Sequence, residues 1–293
     1  MPTISRIPYF EGFDFARTIE VLRRGPHDPL HWSEGQRWRR LFAVDGRLTL
    51  VEATCGRTVT VRRLAGRVPN ETVRKLVQRV LGLDDPGPGH LRGLPPSVRR
   101  AARAHLGVSL PGHATLFEAL VQTVLGQQIH AKVANRHRAA FIYAFGARYD
   151  YRGRGYWAYP TPERLARARI SQIRALGIST VKARAIVAIA ASLRDGRLSE
   201  DALARMSAED AIAALSALPG IGRWTSEWVL LRGFRRFEIV PAGDLAIRKA
   251  VGWSLGRTRL LTERQVRAAV RGWAPYAGLV AYRTLHAHRQ TVA

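Results

Sequence analysis

The sequence has almost no cysteine, and this shortage excludes several kinds of site. Cys55 is the one cysteine among 293 residues. A disulfide within the chain is therefore impossible. Zinc and iron–sulfur centres that are held by several cysteine thiolates are excluded for the same reason.

Long hydrophobic runs are also missing. No stretch of about 18 apolar residues occurs, although a membrane-spanning helix needs roughly that length. The first residues, MPTISRIPYFEGFDF, place no apolar run behind a basic start, so we expect no secretory signal peptide. These absences lead us to expect a cytoplasmic protein without a membrane span.

Acidic residues and lysines are scarce as well. There are 22 acidic residues against 47 basic ones, the formal net charge is +25 and the pI is about 11.6. Four of the basic residues are lysines, which leaves 43 arginines. Arginine-rich codon usage explains the preference for arginine over lysine, but it does not explain the excess over acids. The excess predicts a polyanionic partner, with nucleic acid favoured over an anionic membrane surface.

The N-terminal part alternates short apolar runs with turn residues. Residues 41–44, 48–51 and 58–61 are such runs, and Asp45-Gly46 stands between the first two. The pattern predicts two to four antiparallel strands with tight turns. The segment 83–96, LDDPGPGHLRGLPP, is rich in proline and glycine and predicts a loop.

From about residue 113 onward the sequence predicts helices. Apolar residues of one helix face recur over 116–125. Thr161-Pro162 predicts the start of a helix that Gly177 ends, and Ser207 predicts the start of another. A capping box, Thr262 with Gln265, starts a C-terminal helix. The sequence thus predicts a small β domain followed by a body of many helices.

The stretch 218–228, LPGIGRWTSEW, interrupts two of these helices. Pro219 cannot continue the first helix, and Gly220 and Gly222 bracket Ile221 before the second helix begins. Such a hairpin gathers backbone N–H groups at a positive helix N-terminus, which suits a phosphate. An ordinary tight turn between helices uses the same residue types, so the hairpin alone leaves both interpretations open.

Residues downstream and upstream of the hairpin give it a family context. Asp244 follows Trp224 by 20 positions, at the end of a loop that contains proline, and the segment 124–136 reads VLGQQIHAKVANR. This combination resembles the helix–hairpin–helix, Gly/Pro, Asp (HhH-GPD) superfamily of DNA glycosylases, and within it the alkylpurine branch of DNA-3-methyladenine glycosylase II. The resemblance spans nearly the whole chain and is sharpest over 218–250.

The resemblance implies a fold that is α+β but mostly α, with a small N-terminal antiparallel β domain followed by a two-lobed helical body. We expect the β domain at 1–68. One helical lobe would combine 69–112 with 237–293 and carry Asp244. The other would cover 113–236 and carry the hairpin.

The resemblance also implies how the chain meets DNA. The hairpin would bind the backbone, and Gln128, with Gln127 beside it, would wedge into the duplex where a base is flipped out. No cofactor is required, but backbone carbonyls of the hairpin would be able to hold Na⁺ or K⁺. The hairpin residues are Gly220, Ile221, Gly222 and Arg223, and the carbonyls are those of Ser216, Leu218 and Ile221.

Asp244 would be the catalytic carboxylate of such an enzyme. Breaking an N-glycosidic bond builds positive charge on the sugar, and a nearby carboxylate stabilises that charge. Asp244 also stands where an N-cap is expected before LAIRKAV, and the two roles are compatible. Trp224 and Trp228 lie on one helix face and would line a pocket that attracts a cationic alkylated purine through their π-faces.

Further positions set expectations about the reaction. Family members that also cut the strand carry a lysine two residues after the second hairpin glycine, and Trp224 stands there. We therefore expect base removal without lyase activity. Trp273, Tyr276 and Tyr282 are further candidates for the pocket, and Leu285 replaces the family's other pocket tryptophan. The sequence leaves open whether His130 contacts DNA or caps a helix.

The expected partner is double-stranded DNA with a damaged base, met by a monomer associated with the nucleoid. One alternative keeps the enzyme but changes the base to 8-oxoguanine, hypoxanthine or uracil. Another is a DNA-binding protein without catalysis that uses the hairpin for backbone contact.

Overall fold

The structure is a computed structural model that describes residues 3–23, 25 and 28–291. About 51% of the chain is helical, and an antiparallel sheet precedes most of the helices. The predicted fold class, α+β but mostly α, is therefore confirmed.

Five strands form the N-terminal sheet, in the order β1-β5-β4-β3-β2, and each neighbouring pair is antiparallel. The three predicted runs are β3, β4 and β5. The two outer strands are β2, which forms a short hairpin with β3, and β1, which pairs with the distant β5. The strands are β1 (Thr3–Ile7), β2 (Trp32–Glu34), β3 (Arg37–Val44), β4 (Arg47–Cys55) and β5 (Val59–Gly66).

One face of this sheet packs against two helices, α1 (Phe15–Leu22) and α2 (Asn70–Leu81). Trp38 and Val61 from the sheet share a buried core with Val73 and Val77 of α2. The apolar residues of α2 recur every three to four positions, which gives the helix one buried face. The helix after residue 68 therefore completes the core of the β domain, while the division into domains stays a prediction.

The helical body follows. Its helices are α3 (Pro96–Arg103), α4 (Leu116–Gly126), α5 (Ala131–Phe145), α6 (Pro162–Ala166), α7 (Ile170–Arg174), α8 (Thr180–Arg194), α9 (Glu200–Arg205), α10 (Ala208–Ser216), α11 (Arg223–Gly233), α12 (Leu245–Ser254), α13 (Glu263–Ala269) and α14 (Ala277–Thr291).

Two separate cores divide this body. One core joins α4, α5, α8, α10 and α11, and the apolar face over 116–125 is buried in it as predicted. The other core joins α3, α12, α13 and α14. The predicted caps also hold, because Ser207 accepts a hydrogen bond from Asp210 N and Thr262 forms a capping box with Gln265.

Three local predictions were wrong. The region after residue 113 also contains a β-hairpin, β6 (Arg148–Tyr151) with β7 (Arg154–Trp157). The single helix expected from 161 to 177 is two short helices, α6 and α7, because α6 ends at Ala166 after one turn. The predicted loop 83–96 contains a 3₁₀ helix at Gly87–Leu91.

No helix in the described ranges is long and apolar enough to cross a membrane. The same part of the chain also has no group of three or more histidine, cysteine, aspartate or glutamate residues that is placed to hold a metal ion.

Candidate active site and nucleic-acid interface

The predicted hairpin lies between α10 and α11, and its glycines have different functions. Gly220 has φ +76°, and a Cβ added there would lie 2.9 Å from the Cβ of Ala185 in α8. This position therefore needs glycine for both backbone and space. Gly222 is the N-cap of α11, where a Cβ would meet no atom within 4 Å and no side chain caps the first N–H groups of the helix. Ile221 is buried in the core and anchors the turn.

Arg223 lies at the start of α11, but its charge is already paired. Its Nη1 and Nη2 donate to the two carboxylate oxygens of Glu209 at 3.0 and 2.8 Å, and its Nε donates to Glu227 at 2.9 Å. The guanidinium of Arg223 is therefore engaged by carboxylates. What the hairpin offers to a phosphate is its backbone N–H groups rather than a free positive charge.

Gln127 connects the end of α4 to the hairpin. Its Nε2 donates to the Gly220 carbonyl at 3.0 Å and to Thr225 Oγ1 at 2.9 Å. Its own carbonyl accepts a hydrogen bond from Lys182 Nζ of α8 at 2.7 Å. Burial, followed by the nearby charge of Arg138, lowers the pKa of Lys182. Gln127 is thus held by three elements and braces the hairpin.

Gln128, the neighbouring residue, is placed very differently. It is exposed, and its φ is +51°, in the left-handed region that non-glycine residues rarely adopt. Such backbone strain concentrates where a structure holds a side chain in position for a function. His130, two residues on, is the N-cap of α5, with its Nδ1 accepting from Lys132 N at 3.3 Å.

Asp244 is the N-cap of α12, as its position in the sequence predicted. Its Oδ1 accepts hydrogen bonds from the backbone N–H groups of Ala246 at 2.8 Å and Ile247 at 3.1 Å. The carboxylate therefore sits at a positive helix N-terminus, in a partly exposed position. This cap fixes one oxygen and leaves the other free to point away from α12.

The second oxygen of Asp244 is held by both tryptophans. Oδ2 accepts from Trp224 Nε1 at 2.8 Å and from Trp228 Nε1 at 3.1 Å. Because Trp224 and Trp228 are one turn apart on α11, both indole N–H groups reach the same atom. No signal in the sequence indicated these two bonds, since they join side chains 16 and 20 positions apart.

Every donor to Asp244 is uncharged. In the residues that the structure describes, no lysine, arginine or histidine nitrogen lies within 4 Å of its carboxylate. Four charge-assisted hydrogen bonds position the group, while its negative charge remains unneutralised. The arrangement can stabilise a positive charge that develops nearby.

The other aromatic candidates are mostly core residues. Trp273 is 3% exposed and packs in the core that joins α12 and α14. Tyr282 is 6% exposed and lies against the ring of His286, with centroids 4.4 Å apart. Tyr276 and Trp228 both pack against a small cluster that contains Leu231 and Tyr282, and Leu285 is buried.

The predicted cation ligands are suitable by chemistry. The helix α10 ends at Ser216, and helix C-termini leave carbonyl oxygens without intrahelical partners. Leu218 O accepts one bond, from Ile221 N at 3.1 Å, and keeps a second lone pair. The carbonyls of Ser216, Leu218 and Ile221 are hard oxygen ligands of the kind that Na⁺ and K⁺ prefer.

A hairpin between two helices, followed by a proline-containing loop and an aspartate that caps the next helix, defines a family of DNA repair proteins. The sequence profile of the HhH-GPD superfamily of base excision DNA repair proteins matches residues 121–275. The chain belongs to this family.

Particular relatives narrow the comparison. The chain is 30% identical over 194 residues to a DNA-3-methyladenine glycosylase of Bacillus subtilis, which covers 65% of this chain and 64% of the relative. It is also 30% identical over 190 residues to DNA-3-methyladenine glycosylase 2 of Escherichia coli. That alignment covers 65% of this chain and 63% of the Escherichia coli protein. The chain thus spans less than two thirds of the length of these relatives.

A solved structure resembles the whole chain. The 3-methyladenine DNA glycosylase from Archaeoglobus fulgidus superposes with a TM-score of 0.82 at 26% identity, covering 97% of this chain and 98% of that one. The similarity therefore includes the N-terminal sheet as well as the helical body.

Proposed function

We propose that this protein is a monofunctional DNA glycosylase that hydrolyses the N-glycosidic bond of alkylated, cationic purines in duplex DNA. The glycosylases of Bacillus subtilis, Escherichia coli and Archaeoglobus fulgidus that resemble this chain support the reaction class. The observation that carries the proposal is the Asp244 carboxylate, which is held by two tryptophans and, among the residues that the structure describes, has no cationic partner within 4 Å.

Asp244 is the catalytic residue in this proposal. As the bond between base and sugar lengthens, the sugar gains oxocarbenium character, and the base leaves with the bonding electrons. The carboxylate stabilises the positive sugar and orients a water for attack at the anomeric carbon. Removing one preorganised electrostatic contact of this kind typically costs about 10²–10³ in rate.

Trp224 and Trp228 have two functions in this proposal. An indole N–H lies in the plane of its ring, so both rings turn an edge toward Asp244. Trp228 also packs against the core that joins α3, α12, α13 and α14, whereas Trp224 belongs to no core cluster of the described residues and is the better candidate to contact a base with its face. A cationic base against such a face gains roughly 0.5–2 kcal/mol. A purine that already carries a positive charge leaves readily, which is consistent with one carboxylate and no separate general acid.

Trp224 also argues against strand cleavage. Lyase chemistry needs an amine that forms a Schiff base with the sugar. Trp224 stands at the position of that amine in lyase relatives, and an indole nitrogen cannot form a Schiff base. We therefore propose base release that leaves the strand intact.

Double-stranded DNA is the proposed partner, bound by a monomer in the nucleoid. The N–H groups of the hairpin would bind backbone phosphate, and the exposed Gln128 would fill the space of the flipped base. A Na⁺ or K⁺ ion at the hairpin carbonyls would add a bridge to the same phosphate, although the reaction requires no cofactor.

The test is release of bases from methylated duplex DNA, followed by chromatography of the bases and a denaturing gel for nicks. We expect 3-methyladenine or 7-methylguanine without a nick, and we expect Asp244→Asn to lose at least about 100-fold in release while still binding duplex. Full activity of Asp244→Asn would contradict the assignment of the catalytic residue.

Other outcomes distinguish the alternatives. Release of 8-oxoguanine, hypoxanthine or uracil instead would change the substrate and keep the mechanism. Tight duplex binding with no release of any damaged base would favour a DNA-binding protein without catalysis. A nick that follows base release, together with a covalent protein–DNA complex formed when borohydride reduces a Schiff base, would overturn the monofunctional assignment.

A further inference from the structure

One face of the N-terminal sheet carries arginines on β3 and β5, on either side of a glutamate on β4. The pairing of β3 with β4 places Arg39 beside Glu52, and the pairing of β4 with β5 places Glu52 beside Arg62. Arg37 lies two residues before Arg39, and hence on the same face. The opposite face, represented by Trp38, is buried in the core.

The β6–β7 hairpin covers only part of this face. Tyr156 of β7 packs with Leu41 and Leu50, and its hydroxyl accepts a hydrogen bond from Arg39 Nη1 at 3.1 Å. Beyond the covered part the face opens into a pocket of about 310 Å³, which we name the arginine pocket. Its charged residues are Arg37, Arg39, Glu52, Arg62 and Arg152.

The charges of the arginine pocket are unbalanced. Glu52 is engaged by Arg39, whose Nε and Nη2 lie 2.8 and 2.7 Å from its Oε2. Within the described ranges, Arg37, Arg62 and Arg152 have no carboxylate within 4 Å. Three like charges around one small pocket repel each other, and a bound polyanion relieves that repulsion. Arginine is also suited to phosphate, because its planar donors match two oxygens at once.

Two tryptophan rings contact arginines in and beside the arginine pocket. The guanidinium of Arg39 lies 4.4 Å from the ring centre of Trp32, and that of Arg154 lies 5.5 Å from the same ring. Arg148 lies 5.3 Å from the ring of Trp157 on the hairpin. Arg148 is paired with Asp150 at 2.7 Å, so it is Arg154 beside Trp32 that extends the basic surface past the arginine pocket along β7, which favours an extended ligand over a single phosphate.

The arginine pocket is remote from the helix hairpin. Glu118, in the first turn of α4, forms an ion pair with Arg40 of β3, whereas Gln127, just after α4, contacts the helix hairpin. The 11 residues of α4 span about 16 Å, so the sheet and the helix hairpin lie at opposite ends of this helix. The helix α5 likewise begins beside His130 and ends just before β6.

We propose that the arginine pocket binds the phosphodiester backbone of a second nucleic-acid segment while the helix hairpin holds the first. The inference goes beyond the proposed function and rests only on its DNA-binding step, because two segments can be held without release of a base. The protein would then bridge two duplexes, and the second contact would weaken with salt as phosphate contacts do.

The experiment measures bridging with the full chain and undamaged DNA. One duplex is fixed to beads, protein is added, and retention of the protein and of a second, fluorescent duplex are read separately. The pocket variant combines Arg37→Ala, Arg62→Ala and Arg152→Ala. The control variant combines Arg92→Ala, Arg100→Ala and Arg103→Ala, which are exposed and remove the same charge. Circular dichroism confirms that both variants fold.

We expect the pocket variant to retain at least about tenfold less of the second duplex than the unmodified chain does. The amount of protein on the beads should stay within about twofold of the unmodified value. The slope of the logarithm of second-duplex affinity against the logarithm of salt concentration should become less steep by about 2–3, because three phosphate contacts are lost. The control variant should bridge like the unmodified chain.

Four results would overturn the inference. They are equal bridging by both variants, loss of first-duplex binding in the pocket variant, displacement of the second duplex by a nucleoside monophosphate at the same phosphate concentration, and equal displacement by polyglutamate. The third would indicate a free-nucleotide site and the fourth an acidic protein partner. Protein that leaves the beads altogether, even when unmodified, would instead contradict the DNA-binding step of the proposed function.

Discussion

Two carboxylates of this protein occupy comparable helix starts and have opposite surroundings. Asp244 caps α12, is partly exposed and receives four uncharged N–H donors. Glu118 lies in the first turn of α4, is 2% exposed and contacts Arg40 at 2.5 Å and His113 at 3.6 Å. Burial raises the pKa of Glu118, but Arg40 and His113 outweigh it and lower the pKa to about 2.

The difference separates a carboxylate that holds the fold from one that is available for chemistry. Glu118 joins α4 to the sheet, and its charge is neutralised by Arg40. Asp244 is oriented as firmly, but by dipoles, so its charge still acts on a cation that arrives or forms beside it. We therefore expect substitution of Glu118 to lower the stability of the fold, and substitution around Asp244 to lower the rate of base release.

The largest effect on stability is expected for Glu118→Gln. Removing one partner of a buried ion pair leaves Arg40 uncompensated and should cost about 3–5 kcal/mol in the free energy of unfolding. Chemical denaturation measures this. Glu71→Gln is the matched control, because Glu71 pairs with Arg74 on the surface of α2 and should cost less than about 1 kcal/mol. Equal costs for both variants would contradict the structural role of the buried pair.

Acid should weaken the fold through a second buried charge cluster. His90 is buried beside Arg283, which also pairs with Asp85, and burial followed by the Arg283 charge lowers the pKa of His90 to about 4. An unfolded histidine binds a proton below pH 6.5, whereas folded His90 does so only near pH 4. The unfolded state therefore binds more protons in this window, and stability should fall by up to about 3 kcal/mol from pH 6.5 to pH 4.

The measurement is the free energy of unfolding at a series of pH values for the unmodified chain and for His90→Gln. The slope between pH 6.5 and 4 should flatten in His90→Gln. The exposed His130→Gln serves as the control and should keep the original slope. An unchanged slope in His90→Gln would show that other groups cause the acid sensitivity.

A smaller effect, on rate, is expected for Trp224→Phe and Trp228→Phe. Phenylalanine keeps an aromatic face but removes the N–H donor to Asp244 Oδ2, and a hydrogen bond to a charged group is worth about 1.5–3 kcal/mol. Each change should slow base release by at least about tenfold. In an Asp244→Asn background the same changes should have little further effect, because residues that act as a unit are not additive. Equal losses in both backgrounds would mean that the indoles act independently of Asp244.

The smallest change is expected in the stability of Asp244→Asn itself. Asparagine caps helices about as well as aspartate, but its side-chain NH2 group cannot accept the two indole N–H bonds, so the free energy of unfolding should fall by about 1–2 kcal/mol. Thermal unfolding of the variant that is used in the base-release assay measures this. A large loss of stability would place Asp244 with Glu118 among the carboxylates that hold the fold.

The features that the sequence predicted are local ones. Strands β3 to β5 alternate along the chain, α10 and α13 begin at Ser207 and Thr262 as their caps indicate, and Asp244 caps α12. Each of these depends on residues within a few positions of one another. The hairpin glycines belong to the same group, because the turn itself requires them.

The features that were missed depend on distant partners. Strand β1 forms by pairing with β5, more than 50 positions away. The bonds from Trp224 and Trp228 to Asp244 depend on the path of the loop between α11 and α12. The β6–β7 hairpin, RYDYRGRGYW, did carry a local signal in its alternating aromatic residues and its Arg152-Gly153 turn, and the helical surroundings obscured it.

The hydrogen bonds of Gln127 bear on the entropy cost of binding at the helix hairpin, the surface that we propose meets DNA. Its bonds to Gly220, Thr225 and Lys182 fasten α4, the helix hairpin and α8 together before any ligand arrives. A surface that is already ordered loses little conformational entropy on binding. If the protein flips a base as proposed, most of the cost of recognition is that of unstacking the base, and we expect a weakened or distorted base pair to be opened most easily.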